Sequence, residues 1–383
     1  MIDVSVVRCD DYTPSAVGAA LDAVLAPLDG LAWVKEGMTV GIKANLVHAS
    51  RPEKAAVTHP VVLAELTRRL VARGATVIVG DSPGGLYNAA ALHNVYRVCG
   101  MQAVEEAGGK LNQNFSQETV EFAEGMVLKS FPYTSWLRDV DAVIDVCKLK
   151  THGMMGFSGA AKNLFGVIPG TSKPEYHYRY PNHADFARLM IDLNDYVKPT
   201  LAICDAVVGM EGNGPTGGTP RQIGCLLASF STHKLDLAAA SIIGLGRCDV
   251  PTLVAAHERG YIPDSVDDLV IEGDLKSFYI SDYQNVAINE SLLFSAGGHR
   301  GIKRLMWAVA EKVLITRPDV HKDLCIGCGK CKELCPAKTI TIEKKKAKIH
   351  KKACIRCFCC QEFCPVSAIK VKRTALARLA SKM

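Results

Sequence analysis

Eight of the fifteen cysteines fall in two copies of one spacing near the C-terminus: Cys325, Cys328, Cys331 and Cys335 before Pro336, then Cys354, Cys357, Cys360 and Cys364 before Pro365. Each copy reads C-x2-C-x2-C-x3-C-P, a spacing that holds cubane iron–sulfur clusters. Three cysteines two residues apart wrap three corners of a cluster from one tight loop, and the fourth ligand comes from the other copy. That crossed rule assigns Cys325, Cys328, Cys331 and Cys364 to one 4Fe-4S cluster, and Cys335, Cys354, Cys357 and Cys360 to a second. A zinc ribbon needs only two ligands per knuckle, so it does not account for three consecutive cysteines and a fourth before Pro. The opening MIDVSVVRCDDYTP has no basic, apolar and cleavage regions in series, so a cytoplasmic location with reduced thiols is expected. Cys359 stands outside the spacing and is expected to be a small buried side chain. The same holds for Cys9, Cys99, Cys147, Cys204, Cys225 and Cys248.

The two copies repeat with a period of 29 residues, Cys325 to Cys354. Residues 319 to 372 resemble a two-cluster ferredoxin of the bacterial type, each half carrying its loop, a helical turn and an apolar strand, at 337–342 and 366–371. A unit of this size is too small to rest on an apolar core, so the clusters are expected to supply much of its folding energy. The chain of 383 residues then divides into an α/β domain at 1–295, a connecting helix or linker at 296–318, the two-cluster domain at 319–372 and a basic tail at 373–383. The longest apolar candidate, IKRLMWAVAEKVLI at 302–315, is broken by Lys303, Arg304, Glu311 and Lys312. It falls short of a membrane span.

Charge is divided along the chain. From residue 319 onward there are 16 Lys and Arg against 5 Asp and Glu, leaving 29 against 34 for the rest. Much of the positive charge lies in KKKAKIHKK, Lys344 to Lys352, between the two cysteine loops. This run lacks interleaved aromatics, so nucleic acid is not the expected partner. Lysines beside anionic clusters offset their charge and can steer an acidic redox partner.

The first 290 residues alternate strand and helix patterns. Strands are expected at 2–7, 38–43, 75–80, 141–146, 201–204 and 223–228, with a helix at 14–28. A second helix is expected to be capped by Thr58, with Pro60 in its first turn and Gly74 at its end. Near-continuous apolar strands separated by helices predict an α/β fold with a parallel sheet covered on both faces. Ligands of such sheets bind beyond the carboxyl ends of the strands.

Those ends carry the unusual polar residues: Lys43 and Asn45; Asp81 to Gly85; Lys148, Lys150 and His152; Lys162 and Asn163 within GFSGAAKNLFGVIPG; and Asp205 before GMEGNGP. None of the Gly-rich segments matches a dinucleotide or P-loop pattern. Lys43, Asn45, Lys148, Lys162 and Asn163 are expected to bind an anion, and Lys150, His152 and Asp205 to act on it.

The segments GIKANLVHASRPEKAAVTHPVVLAEL, VIVGDSPGG, VCKLKTH, KNLFGVIPG and DAVVGMEGNGPTGG, taken in that order, resemble the domain-of-unknown-function 362 family over about residues 2 to 290. The resemblance implies an α/β fold beside iron–sulfur chemistry and brings no assigned reaction. Two functions remain open. One is a reductase passing single electrons to an anionic substrate or cofactor in the cleft. The other is a non-enzymatic electron carrier or accessory subunit whose α/β domain binds a partner or regulatory ligand.

Overall fold

The computed structural model describes residues 2–286 and 317–372. The expected connecting helix at 302–315 and the tail at 373–383 lie outside them.

The larger domain is a mixed, mostly parallel α/β sheet. Its strands are β1 (Val4–Arg8), β2 (Thr39–Ala44), β3 (Thr76–Gly80), β4 (Lys110–Leu111), then a separate hairpin of β5 (Gln117–Glu121) and β6 (Ser130–Thr134). They continue with β7 (Ala142–His152), β8 (Gly156–Ser158), β9 (Leu201–Glu211), β10 (Thr219–Ser229) and β11 (Ile271–Glu272). The order across the main sheet is β11-β1-β10-β9-β7-β2-β3-β4, with β8 returning along β7. Strands β9, β7, β2, β3 and β4 run parallel. Strand β10 is antiparallel to both β9 and β1. The reason lies in its connection: β9 reaches β10 through the short Gly-rich link 212–218, whereas a parallel return needs a crossover of about a dozen residues or more.

Helices cover both faces. Helix α1 (Pro14–Leu25) and α2 (Pro60–Val71) bury Val17, Leu21, Val62, Leu66 and Leu70 against one face. On the other face pack the helices His183–Val197, Thr232–Ile242 and Pro251–Glu258. The cap of α2 differs from expectation. His59 occupies it, with Nδ1 accepting from Val61 N–H. Thr58 instead accepts from Asn45 N–H at 3.0 Å and donates to Val146 O at 2.9 Å, tying the ends of β2 and β7 together.

Two strands outrun their expected ends, and both bear on the site. Strand β7 continues past Val146 to His152, and β9 past Cys204 to Glu211. Lys148, Lys150, His152 and Asp205 are therefore strand residues, and all four are buried. A lysine can sit in a buried strand when oxygens receive its ammonium, and each of these lysines has them.

The small C-terminal cysteine-rich domain repeats its backbone at the 29-residue period. Strand β12 (Arg317–Val320) corresponds to β14 (Lys346–Ile349), and β13 (Ile340–Glu343) to β15 (Ile369–Lys372). The short helix Lys330–Glu333 likewise corresponds to Cys359–Glu362. Positive φ angles recur in step, at Gly327 and Arg356, Gly329 and Phe358, Lys338 and Ser367. The strands of both halves begin and end later than expected, because each cysteine loop runs on through its Pro before pairing starts. Strands pair across the repeat, β12 with β15 and β13 with β14. Among the described residues their buried apolar cluster holds Cys331, Ile340, Ala347, Cys360 and Ile369.

Candidate functional site

The second cysteine loop is built into the larger domain. Phe358 belongs to the main core of that domain. Gln361 Nε2 donates to Asn213 O and Gly214 O, both at 2.9 Å, and Val371 N–H donates to Asn213 Oδ1 at 2.8 Å. Thr216 Oγ1 donates to Glu362 O at 3.2 Å. Phe363 lies across Gly84, where any Cβ would overlap its ring. Gly84→Val is accordingly expected to lift the cysteine-rich domain off the larger one. Amide exchange at Val371, whose N–H is held by Asn213, should accelerate, while a Gly85→Val control, whose Cβ meets nothing within 4 Å, reports only the strain of its positive φ.

Docking closes a cleft at the strand ends with about 630 Å³ of empty space, its solvent-open mouth included. A cleft of this size suits a small ligand. Of the residues expected from sequence, Asn45, Lys150, Lys162 and Asn163 line it. Lys150 Nζ donates to Asn45 Oδ1 at 2.7 Å and to Ala56 O at 2.9 Å. Burial, then repulsion from Lys162, lowers its pKa to about 7. Burial also lowers that of Lys162. Asn163 links the floor, donating to Asp145 Oδ1 at 2.6 Å and accepting from Asn45 Nδ2 at 2.8 Å.

The other expected residues stand behind this surface. Lys43 pairs with Asp81 at 2.7 Å and donates to Ala44 O at 2.8 Å. Lys148 pairs with Asp205 at 2.9 Å. Asp205 also accepts from Tyr12 OH at 2.8 Å and His59 N–H at 2.9 Å. That pair is buried and separate from the cleft lining, so Asp205 does not join Lys150 there. His152 Nδ1 accepts from Met154 and Met155 N–H at 3.0 and 3.1 Å. The proton therefore sits on Nε2, which faces Glu362 Oε1 at 2.8 Å, though off the ideal hydrogen-bond direction. Burial and the charge of Lys162 hold His152 down at about 4, so it is neutral near pH 7. Burial pushes Glu362 up, but the His152 contact and the charge of Lys162 outweigh it and hold the carboxyl well below its usual range.

Ser82, from the strand-end segment Asp81 to Gly85, also lines the cleft, and sequence reasoning missed Lys173, His177, Glu362 and Phe363, which join it there. Lys173 donates to Ser82 O, and burial lowers its pKa to about 7. The one signal available for Glu362 was a charged residue inside the ligand spacing, CQEFC.

The cysteines gather around two further cavities. Cys325, Cys328, Cys331 and Cys364 line one of about 330 Å³, and Cys335, Cys354, Cys357 and Cys360, with Cys359, line another of about 300 Å³. Backbone N–H groups point at sulfur from Ala347 to Cys325 at 3.4 Å, Thr339 to Cys335 at 3.3 Å and Ala368 to Cys364 at 3.2 Å. The four thiols of the repeated spacing at each cavity, with N–H donors behind them, fit thiolate-held cubanes, whose potentials such donors tune. Of the remaining cysteines, Cys248 is exposed, contrary to expectation, and the other six are buried.

Comparison with known proteins agrees. Residues 317–365 match a 4Fe-4S dicluster domain, so the chain carries two 4Fe-4S clusters in an electron-transfer domain. The chain is 30% identical over 271 residues to the thylakoid-associated protein sll1697 of Synechocystis, covering 69% of this chain and 81% of that one. Two solved structures align at TM-score 0.37 over 61% of the chain: a Thermotoga maritima protein at 14% identity and the lactate racemase apoprotein of Thermoanaerobacterium thermosaccharolyticum at 13%. The chain spans 59% and 55% of their lengths, and a likeness this slight carries no argument. Among the described residues no helix is long and apolar enough to cross a membrane. Residues 40–241 match the domain of unknown function (DUF362), and the chain belongs to that family.

Proposed function

We propose that this protein is an oxidoreductase that draws single electrons through its cysteine-rich domain and uses them to reduce a small anion in the cleft. Its main support is that Glu362 and Phe363, between Cys360 and Cys364 in sequence, line the same cleft as Lys150 and Lys162. In this reading Cys325, Cys328, Cys331 and Cys364 hold one cluster, and Cys335, Cys354, Cys357 and Cys360 the other. When bound, the clusters supply one electron each. Lys162 and Lys173 hold the anion, and Lys150, whose pKa lies near neutrality, gives or takes a proton at Nζ. Neutral His152 orients Glu362, and Asp205 holds Lys148. Both thus act on the site's architecture.

The test is to reduce the anaerobically purified protein and mix it with a panel of carboxylates and phosphates, following visible absorbance. At least one compound is expected to reoxidise the protein, and Lys162→Ala to slow it about tenfold or more, as for a lost charge-assisted contact. Rates equal to buffer for the whole panel, or unchanged in Lys162→Ala and Lys150→Ala, would defeat the proposal.

A second reading, electron carrier or accessory subunit, is favoured by the lysine hairpin. Lys344 and Lys345 form its exposed turn, and Lys346 Nζ donates to Cys325 O at 2.7 Å, so the turn flanks the first cysteine loop. An acidic redox partner approaching there would meet Cys328, which is exposed, unlike its repeat counterpart Cys357. Reduction by an acidic flavodoxin should then slow as salt rises. A salt-independent rate would count against docking at that turn. A cytoplasmic location fits the thiol-rich chain, and the thylakoid-associated relative makes association with a membrane surface compatible with it.

A further inference from the structure

Lysines near the strand ends fall into two kinds. Lys43 and Lys148 each have a buried carboxylate, Asp81 at 2.7 Å and Asp205 at 2.9 Å. Among the described residues, the three that line the cleft have none. Lys150 meets the neutral oxygens of Asn45 and Ala56, and Lys173 meets Ser82 O and rests 5.8 Å from the Phe165 ring centroid. Lys162 Nζ has no hydrogen bond or ion pair among the described residues and rests 5.8 Å from the Phe165 ring centroid. Against these three cations the lining supplies Glu362, which His152 already engages, and Asp81, which Lys43 engages.

Two neutral groups are also left without partners among the described residues. Ser82 Oγ and His177 Nδ1 are buried, line the cleft and have no hydrogen-bond partner there. A hydroxyl and an imidazole left bare in a buried site cost free energy unless a ligand engages them. The surplus of cationic over anionic groups and the small volume describe the same missing object.

We infer that the cleft is a binding site for a compact dianion, of the phosphate-ester or short dicarboxylate class, gripped by Lys162, Lys173 and Lys150 and by Ser82 and His177. This deepens the reading of the cleft as a site for an anion and rests on it. One oxyanion end meets Lys162 and Lys173, and Ser82 Oγ donates to it. Neutral His152 leaves the charge of Glu362 uncancelled, and against three ammonium groups that single −1 leaves a surplus which a monoanion would undercompensate, while desolvating a neutral ligand would gain nothing from them.

Binding is coupled to protons. Lys150 faces Asn45, Ala56, Lys162, Lys148, Asp81 and Glu362, and Lys173 faces Ser82, Asp81, Lys43, Lys162 and Glu362. In the free protein both are lowered to about 7, burial being the largest cause. A dianion beside them favours the charged form, so their pKa values rise on binding. At pH 8 the ligand is then taken up together with protons, and affinity falls as pH rises above about 7.

The test uses the oxidised full-length holoprotein and sulfate, which stays dianionic across the range, with malonate as the dicarboxylate and acetate as the monoanion. Calorimetry at pH 8 in two buffers of different ionisation enthalpy is expected to show sulfate binding at least tenfold tighter than acetate, with net proton uptake. Lys162→Ala and Lys173→Ala should each weaken it about tenfold or more, as for a lost charge-assisted bond. Acetate binding as tightly as sulfate, a buffer-independent enthalpy, or wild-type affinity in both variants would each overturn the inference. Since no electron flows in this assay, sulfate binding without any reoxidation by the metabolite panel would sink only the reductase. Reoxidation by monoanionic carboxylates without dianion preference would sink only the present inference.

Discussion

Cys364→Ala is expected to empty the cavity that Cys364 shares with Cys325, Cys328 and Cys331, although Cys364 belongs to the other motif. Iron per chain should fall from about eight to about four, half of a two-cubane complement. Cys335→Ala should produce the same fall by emptying the cavity lined by Cys354, Cys357 and Cys360. The consequences for the rest of the molecule should differ. Phe358 sits in the core of the larger domain, and Gln361 and Glu362 hold the docking contacts. All three belong to the loop that carries Cys357 and Cys360. The domain's own apolar cluster is too small to hold that loop without metal, because ligand binding supplies folding free energy in such units. Cys335→Ala should therefore release the Val371 N–H from Asn213 and open the cleft, whereas Cys364→Ala should leave docking closer to wild type. Iron analysis with amide hydrogen exchange at Val371 under anaerobic conditions checks both. A Cys364→Ala protein that keeps about eight irons, or a Cys335→Ala protein whose Val371 N–H exchanges as slowly as in wild type, contradicts this account.

The cysteine-rich domain was legible in the sequence because cluster ligation is local. Its ligands must recur at fixed spacing, and the 29-residue repeat reappears strand for strand and turn for turn. The parallel part of the large sheet was legible for a similar reason, since fully buried strands read as apolar runs. The reversal at β10 was harder to see, because it depends on β9 continuing to Glu211 through residues that read as a loop. Likewise KLKTH at the end of β7 reads as polar and terminating. Its lysines are buried only because distant chain supplies their acceptors: Asp205 for Lys148, Asn45 and Ala56 for Lys150. The cleft was half legible. Its floor comes from one domain and carried visible charge at strand ends. Its wall, Glu362 and Phe363, comes from a docking contact between segments about two hundred residues apart, which no local pattern encodes.

Asp205 offers the sharpest separation of structure from chemistry. It is fully buried, and its carboxylate receives Lys148 Nζ, Tyr12 OH and the His59 N–H. Asp205→Ala leaves the Lys148 ammonium in the interior without its counter-charge. Breaking a buried pair from one side costs about 3–5 kcal/mol, because the remaining ion has lost its compensation and cannot reach water. The larger domain should therefore melt on the order of 10 °C lower. Replacing the pair together, Asp205→Leu with Lys148→Met, removes both charges, and such apolar replacements are often neutral or better. The double variant should recover most of the lost stability, leaving the cost of a Tyr12 O–H and a His59 N–H without their acceptor, while the Tyr12 oxygen still accepts from Val208 N–H. A general acid or base in the cleft predicts the opposite pattern: near-normal melting for Asp205→Ala, with loss of any reoxidation rate that the double variant fails to restore. Thermal unfolding of the three proteins beside the reoxidation assay distinguishes them. If Asp205→Ala melts like wild type, the Lys148 pair does not carry the structural role assigned to it.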